Sequence, residues 1–444
     1  MRVLVISHLY PSPGHEGSLF VEDQVRALTN QGVEVSVLSP TGFAPRILWA
    51  NPRLRRRGRT PRRAVRHGIL VEYPRVLVLP RMLLFWRAGD LYYLGLRRFL
   101  PWLRGAGIDV IHAHQALPDG AAAQRLAAHL KVPYVVTVHG RDVHYHLRQS
   151  GRIAEAARRT LGSANAVMAV SQAVARALAP VVPPQRLHVV PNGVNAVASS
   201  SARRERWADY ERSAPLILSV SYLREHKGHA TVLEALARLR GQVRARYVIV
   251  GEGSERQHLE RKATGLGIAD QVEFLGWLPH DDVLGLMARA DVFVLPSWDE
   301  AFGLVYAEAM AQGTPVVGCR GEGLEDFVTD GQTGYLVPPR DPEALANIIA
   351  QVLRNPAAAA AIGEAGRAAA AELTWARNAE RQKAIYEQVV AEHARRDASH
   401  NRAADGLAAH NGDWQPEPRN GDDGPASPSD ERPSKTPRRP ASGL

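Results

Sequence analysis

Residues 300–318 read EAFGLVYAEAMAQGTPVVG, and the rest of the chain is read from this stretch. Two acids, Glu300 and Glu308, stand on either side of a glycine-containing turn. The apolar run ADVFVLPSW before them has the pattern of a buried strand, and the alanine-rich run after Gly303 that of a helix. In an open α/β sheet, ligands gather at the carboxyl ends of strands, where a helix N-terminus offers free N–H groups and a positive dipole. Phe302, Gly303 and Leu304 fall at that position. Glu308 then lies a little over one turn into the helix, within reach of the vicinal hydroxyls of a ribose, while Glu300 precedes the helix and can grip a sugar. For two acids on their own, a capped helix with a solvated glutamate is the simpler reading.

Outward from this point the same alternation recurs. RVLVISH, the helical FVEDQVRALTNQG, VEVSVLSP, DVIHAH, the helical AAAQRLAAHL and PYVVTVHG form one parallel α/β series. The pattern restarts with LHVVPNGV and continues through PLILSVSYL, a helix from about His229, ARYVIVGEG, a helix near Glu255, QVEFLGWL, ADVFVLPSW and TPVVGCR. Two doubly wound domains are therefore expected. Their predicted extents are 1–190 and 191–375, followed by a helix over 376–393 that packs back on the first domain, and a tail over 394–444. From about Ala398 the tail is rich in Asp, Arg, Pro, Ser and Gly and cannot offset its ordering entropy by burial, which predicts disorder. The polar stretch Ala198–Ser213 is read as a loop near the interdomain hinge.

Composition narrows the setting. With 444 residues, 45% of them hydrophobic, the chain has enough apolar surface for two cores. A single cysteine, Cys319, leaves no intrachain disulfide and fits a reducing, cytoplasmic setting. The run Val3–Ile6 is too short for a signal-peptide core, and no stretch approaches the roughly twenty apolar residues of a membrane span. A cytoplasmic protein, soluble or peripheral on the inner face of the cell membrane, is expected. The net charge of +10 calls for an anionic partner without choosing one.

The motifs SYLREHKGH, YVIVGEG, FLGWLP and PNGV precede the two acids in the same half, and PSPGHEGSLFVEDQ, HAHQALPDG and TVHGRDV stand in the first half. In this order they resemble the family 4 glycosyltransferases of the GT-B fold, over essentially residues 1–393. The resemblance implies two Rossmann-like domains facing a central cleft. It also implies a retaining transferase that needs no metal cofactor and takes a hexosyl group from a UDP- or GDP-linked sugar. The acceptor would be a glycan, a lipid-linked sugar or a small molecule, in cell-surface polysaccharide or glycolipid synthesis. No Asp-x-Asp occurs in the chain, so the acidic pair that usually chelates a metal-diphosphate is missing.

The resemblance places Glu300, His139, Arg224 and Lys227 in the catalytic set. Arg224 and Lys227 are the natural cations for the diphosphate, with the helix start at Gly303 supplying dipole and amides. The position where the family often has arginine falls on Tyr222, with Arg224 two residues on. Donor contacts fall to Gly17, Asn192, Gly251, Leu278, Phe302, Gly303, Leu304 and Glu308, and the acceptor side to Gly17, His139 and Asp142. Asp142 either orients His139 or anchors its loop. His139 is expected to position substrate rather than act as a general base. His112 and His114 are expected on opposite faces of their strand, a poor metal pair, and no metal is assigned. Gly251 and Gly253 lack the third glycine of a dinucleotide fingerprint, which argues against NAD.

Eight arginines crowd Arg53–Arg66, and the segment that follows mixes Leu, Trp, Tyr and Arg at helical spacing. The run is read as a mobile loop that attracts an anionic acceptor or an anionic membrane surface, and no nucleic-acid partner is expected because no stacking platform accompanies it. The following helix, whose Leu, Trp, Tyr and Arg could also lie on an anionic membrane, is read first as an ordinary one with Phe85, Leu94, Leu96 and Phe99 in the core. Two other functions share the architecture. A nucleotide sugar epimerase would need an acid/base set that is not evident, and a non-catalytic nucleotide sugar or glycan binder would have no reason to keep Glu300 and Lys227.

Overall fold

The computed structural model describes residues 1–12, 19–44, 58–79, 83–195 and 214–410, with isolated positions 46, 51, 55 and 207 between them. Met1–Ala394 form one compact unit and Arg395–Leu444 another. Gly17, Arg53, Arg56, Arg57, most of the hinge loop at 198–213 and the tail beyond 410 lie outside the described residues.

The first unit holds two large sheets. The first takes β1 (Arg2–Ile6), β2 (Glu34–Leu38), β4 (Arg63–Arg66), β5 (Ile69–Glu72), β7 (Val110–His114), β8 (Tyr134–Val138), β9 (Ala166–Ala169) and β10 (Leu187–Val189), while β3 (Thr41–Gly42) and β6 (Arg75–Val76) pair separately. Its order is β10-β9-β8-β7-β1-β2-β5-β4, parallel except for the β4/β5 hairpin. The second is fully parallel, in the order β13-β12-β11-β14-β15-β16. Its strands are β11 (Leu216–Val220), β12 (Arg246–Val250), β13 (Val272–Gly276), β14 (Val292–Val294), β15 (Val316–Cys319) and β16 (Tyr335–Val337). Strands buried on both faces read as continuous Val/Ile/Leu runs, which is why VLVI, YVVTV, LILSV and YVIV were legible.

In each sheet the strand order reverses at one place: between β1 and β7 in the first, between β11 and β14 in the second. Clefts open at such switch points beyond the carboxyl ends of the strands. The segments that leave there are His8 after β1, Gln115–Gly120 after β7, Ser221–Lys227 after β11 and Leu295–Gly303 after β14.

Three expectations are corrected. Leu187–Val189 closes the edge of the first sheet by pairing with Val167–Ala169 and does not begin the second. The basic run is not a loop throughout. Arg63 and Arg66 belong to β4, where Arg63 meets Glu72 at 2.5 Å and Arg66 meets Glu22 at 2.6 Å, so these two charges are spent inside the domain. Of the four residues placed in the helix core, Leu96 is buried and Phe85 and Phe99 are half-buried. Leu94 is 53% exposed.

The last helix, Trp375–His410, outruns its expected end at His393 because alanines and arginines, strong helix formers, recur through the added turns. Near its start it is tied to the first sheet's domain. Asn378 Nδ2 donates to the Pro191 carbonyl at 2.7 Å, Gln24 Nε2 to Asn378 Oδ1 at 3.3 Å and Gln31 Nε2 to the Ala376 carbonyl at 2.8 Å. Tyr386 is fully buried and shares a 2.7 Å hydrogen bond with His112 Nδ1.

Candidate active site

Glu300 sits on the loop that leaves β14, immediately after Asp299, whose φ of 62° is left-handed and costly for a side chain with a Cβ. That loop is held by a carboxylate from elsewhere. Glu322 accepts the Asp299 amide at 3.1 Å through one oxygen and the Glu300 amide at 2.7 Å through the other. Glu300 in turn receives Lys227 Nζ at 2.6 Å and the Ser297 hydroxyl at 3.0 Å, both on Oε2. The Lys227 and Glu300 side chains are 19% and 14% exposed, so the pair is largely withdrawn from solvent and its charge is poorly screened. Lys227 arrives from the β11 side of the switch point and Glu300 from the β14 side. Gly228, with φ 73°, permits the approach, since a Cβ there would lie 2.2 Å from the Pro296 carbonyl oxygen.

The other wall comes from the first sheet's domain. His139 and Gly140 follow β8 and line a cavity of about 360 Å³ together with Arg141, His144, His226, Asp299 and Glu300. The walls are close enough that a Cβ on Gly140 would stand 2.6 Å from the Ala301 methyl. Contacts between the walls fix this spacing: Ser171 Oγ donates to the Ala301 carbonyl at 2.6 Å, the Gln172 amide to Asp326 at 2.8 Å, and Arg148 meets Asp299 at 2.8 Å.

His139 belongs to a buried row of imidazoles. His114 Nδ1 and His139 Nε2 share a proton at 2.9 Å, with the rings stacked 5.1 Å apart and 5° from parallel. His112 lies 4.5 Å from His114, so these two share a face, as alternate residues of a strand do, and the expected opposition does not hold. Tyr386 donates to Gln382 Oε1 at 2.9 Å and therefore accepts from His112 Nδ1, which leaves His112 Nε2 to accept from Thr137 at 2.8 Å. Burial pushes His139 down to about 3 and His112 to about 3, and burial, His112 and His139 depress His114 as well. The row is neutral at physiological pH, and His139 offers hydrogen bonds, not charge. Its Nδ1 has no partner among the described residues.

Asp142 does not orient His139. Its Oδ1 accepts the Ala116 amide and His146 Nδ1, each at 3.0 Å, and so anchors the two wide helical turns that follow β7 and β8.

The remaining expected residues divide. Gly303 caps the helix Leu304–Ala311 with φ 88°, and the first amide to bond back to it is that of Tyr306. Phe302 is buried against Phe327, at 5.1 Å between ring centroids, and supports the turn from behind. Glu308 does not share the cavity of Glu300. It lines a separate one of about 430 Å³, with Leu304, Asp23, Asn195, His280 and Trp375. There burial and the neighbouring Asp23 push its carboxyl up to about 7. Gly251 is required by packing, since a Cβ would sit 1.9 Å from the Ser221 carbonyl oxygen, and Leu278 packs half-buried against the core. Asn192 lies apart from both acids, in a third cavity with Arg176, Asp326 and Arg377. Arg224 is exposed on the loop before Lys227, and Tyr222, in the arginine position, is 76% exposed. Sequence reading missed Ser297, Glu322, His114, Arg141 and His226. None of them belongs to a recognisable spacing with Glu300.

A crevice at two facing switch points, with a largely withdrawn Lys–Glu pair on one wall and a neutral histidine on the other, fits a GT-B transferase. Residues 18–197 match the family model described as Glycosyltransferase Family 4, and residues 203–369 that described as Glycosyl transferases group 1. The MMP alpha-(1->4)-mannosyltransferase of Mycolicibacterium hassiacum is 30% identical, over 88% of this chain and 99% of its own length. The GDP-mannose-dependent alpha-(1-6)-phosphatidylinositol monomannoside mannosyltransferase of Mycolicibacterium smegmatis is 31% identical, over 74% and 84%. A more local match, 39% identical, spans 36% of this chain and 45% of LpsE, a lipopolysaccharide core biosynthesis glycosyltransferase of Rhizobium meliloti. Among solved structures, sucrose-phosphate synthase from Thermosynechococcus elongatus superposes with a TM-score of 0.75 at 22% identity, covering 88% of this chain and all of that one. Anabaena HepE in complex with UDP superposes with a TM-score of 0.68 at 21% identity, over 87% and 100%. The chain belongs to glycosyltransferase family 4, and it is a glycosyltransferase.

Proposed function

We propose that this enzyme moves a hexosyl group from a UDP- or GDP-linked sugar to a glycan or lipid-linked acceptor, with retention at the anomeric carbon, in the synthesis of cell-surface polysaccharide or glycolipid. The Lys227–Glu300 pair at 2.6 Å, set opposite His139 across one cavity, carries this reading. UDP in the HepE complex, the GDP-mannose-dependent relative and the lipopolysaccharide relative support the donor and pathway classes.

In this reading Glu300 takes hydroxyls of the transferred sugar, and Lys227, paired with it in the free enzyme, turns its ammonium to the diphosphate. As the glycosidic bond lengthens, negative charge grows on the departing diphosphate. Lys227, Arg224 and the amides at the Gly303 helix start stabilise it, and they are oriented before the reaction begins. His139 and Arg141 position the acceptor hydroxyl on the same face, and the departing phosphate takes its proton. Glu308 faces the ribose hydroxyls from the neighbouring cavity. The basic segment from Arg53 to Arg66 draws the enzyme to an anionic membrane surface at the inner face of the cell membrane.

The test is release of nucleoside diphosphate from a panel of UDP- and GDP-sugars by wild type and by Glu300→Gln. One donor class is turned over, and Glu300→Gln lowers the rate by more than about ten-fold with melting temperature unchanged, because the lost contact strengthens as charge develops. Equal turnover by the variant would falsify the role of Glu300.

A further inference from the structure

Beside the polar cavity, in the first sheet's domain, lies a second one of about 250 Å³ with a different wall: Leu77, Leu83, Phe85, Leu91, Tyr92 and Leu117 supply most of it. Leu77 and Leu83 are 53% and 61% exposed, a poor use of large apolar side chains unless something covers them. The polar groups are few and sit together. His8, Gln115 and Arg141 line the same cavity, and Arg141 also lines the polar cavity that holds His139 and Glu300, so the two spaces adjoin at this residue.

Two observations mark this as a built site. Gln115 is buried at 6% exposure, and its amide oxygen has no hydrogen-bond partner. An orphaned buried acceptor is destabilising unless a ligand supplies a donor. Gln115 also stands in a left-handed conformation, φ 79°, at the carboxyl end of β7. Backbone strain of this kind collects at ligand sites. His8 is oriented from behind, through a 2.8 Å hydrogen bond from its Nδ1 to buried Asp119, across the β1/β7 switch point.

We propose that this cavity is the subsite for the apolar aglycone of the acceptor, which is an amphiphile. Its hydroxylated head reaches past Arg141 and Gln115 to His139 and Glu300, and its hydrocarbon end lies among Leu77, Leu83, Phe85 and Leu91. The proposal rests on the transferase reading above and narrows it from acceptors in general to those carried on an apolar chain.

Binding of n-alkyl β-glucosides of one, four and eight carbons, each below its micelle-forming concentration, tests it by calorimetry. Affinity should tighten at least ten-fold from the methyl to the octyl glucoside, since each added methylene leaves water for the apolar wall. The double substitution Leu77→Asn with Leu83→Asn, at positions exposed enough to spare the core, should bring the octyl compound to within about two-fold of the methyl one. Affinity independent of chain length, or an octyl preference untouched by the double substitution, overturns the proposal. The two readings fail separately. Nucleotide release without chain-length dependence sinks the aglycone subsite alone. Octyl binding without turnover of any nucleotide sugar sinks the transferase reading alone.

Discussion

On one wall of the cleft Glu300 is met by Lys227, by Ser297 and, through its backbone, by the carboxylate of Glu322. On the other, His139 is met by the neutral ring of His114 and the face of Phe20, whose centroid lies 4.9 Å away. The halves share a sheet topology and divide the chemistry. In the proposed function the second sheet's half brings the Lys227–Glu300 pair to the leaving diphosphate. In that reading the first sheet's half brings the neutral ring of His139, beside Arg141, to orient a hydroxyl.

If that division holds, substitutions on the charged wall should cost far more than those on the neutral wall. Glu300→Gln is expected to show the largest effect, more than about ten-fold on turnover. On the neutral wall, His114→Phe keeps the stacked ring but removes the hydrogen bond that fixes the tautomer of His139. A neutral hydrogen bond contributes about 1 kcal/mol, so kcat should fall about five-fold with donor KM unchanged and the pH profile flat between 6 and 8. His114→Asn, which can still bond to His139, should recover part of the loss. A donor KM that rises with the His114→Phe substitution would show that the two walls are not separate.

How much of this could be read beforehand follows from the same contrast. The strands were legible because a parallel sheet buried on both faces writes itself as unbroken Val, Ile and Leu. The short edge strand Arg63–Arg66 and its partner Ile69–Glu72 were not, since an edge strand carrying two arginines, with a four-residue neighbour beside it, reads as loop. Glu300, Lys227 and His139 were legible because each follows a predicted strand and sits in a motif. Glu322 and His114 were not. One acts from 22 residues away through a backbone amide, and the other through a stacking partner 25 residues on in the neighbouring strand. Glu308 was placed on the right helix, but which cavity its side chain enters depends on Asp23 and Trp375, which no local spacing reports.

Glu308 sharpens the comparison further, as a carboxyl that burial and Asp23 raise from 4.5 to about 7 in the free enzyme. A raised folded pKa means a stability contribution that is complete below the unfolded value of about 4.5 and lost as pH climbs through about 7. Glu308→Gln should therefore gain stability relative to wild type between pH 5 and pH 8, on the order of 1–3 kcal/mol. Chemical denaturation at the two pH values measures it, and an equal difference at both would contradict the assignment. The smallest effect concerns the basic segment. Replacing Arg55, Arg56 and Arg57 with glutamine should weaken binding to anionic vesicles and flatten its salt dependence, without altering donor hydrolysis. Unchanged vesicle binding would remove the basic segment from the account.

The account depends most on Lys227 and Glu300 acting as one unit on the donor. A double-mutant cycle on donor turnover tests this directly, with Lys227→Ala, Glu300→Gln and the two combined. Residues that work together give non-additive losses, so the double variant should be no more than about three-fold slower than the worse single variant. Losses that simply multiply would mean that the two side chains act independently, and the charged wall would no longer be a single device.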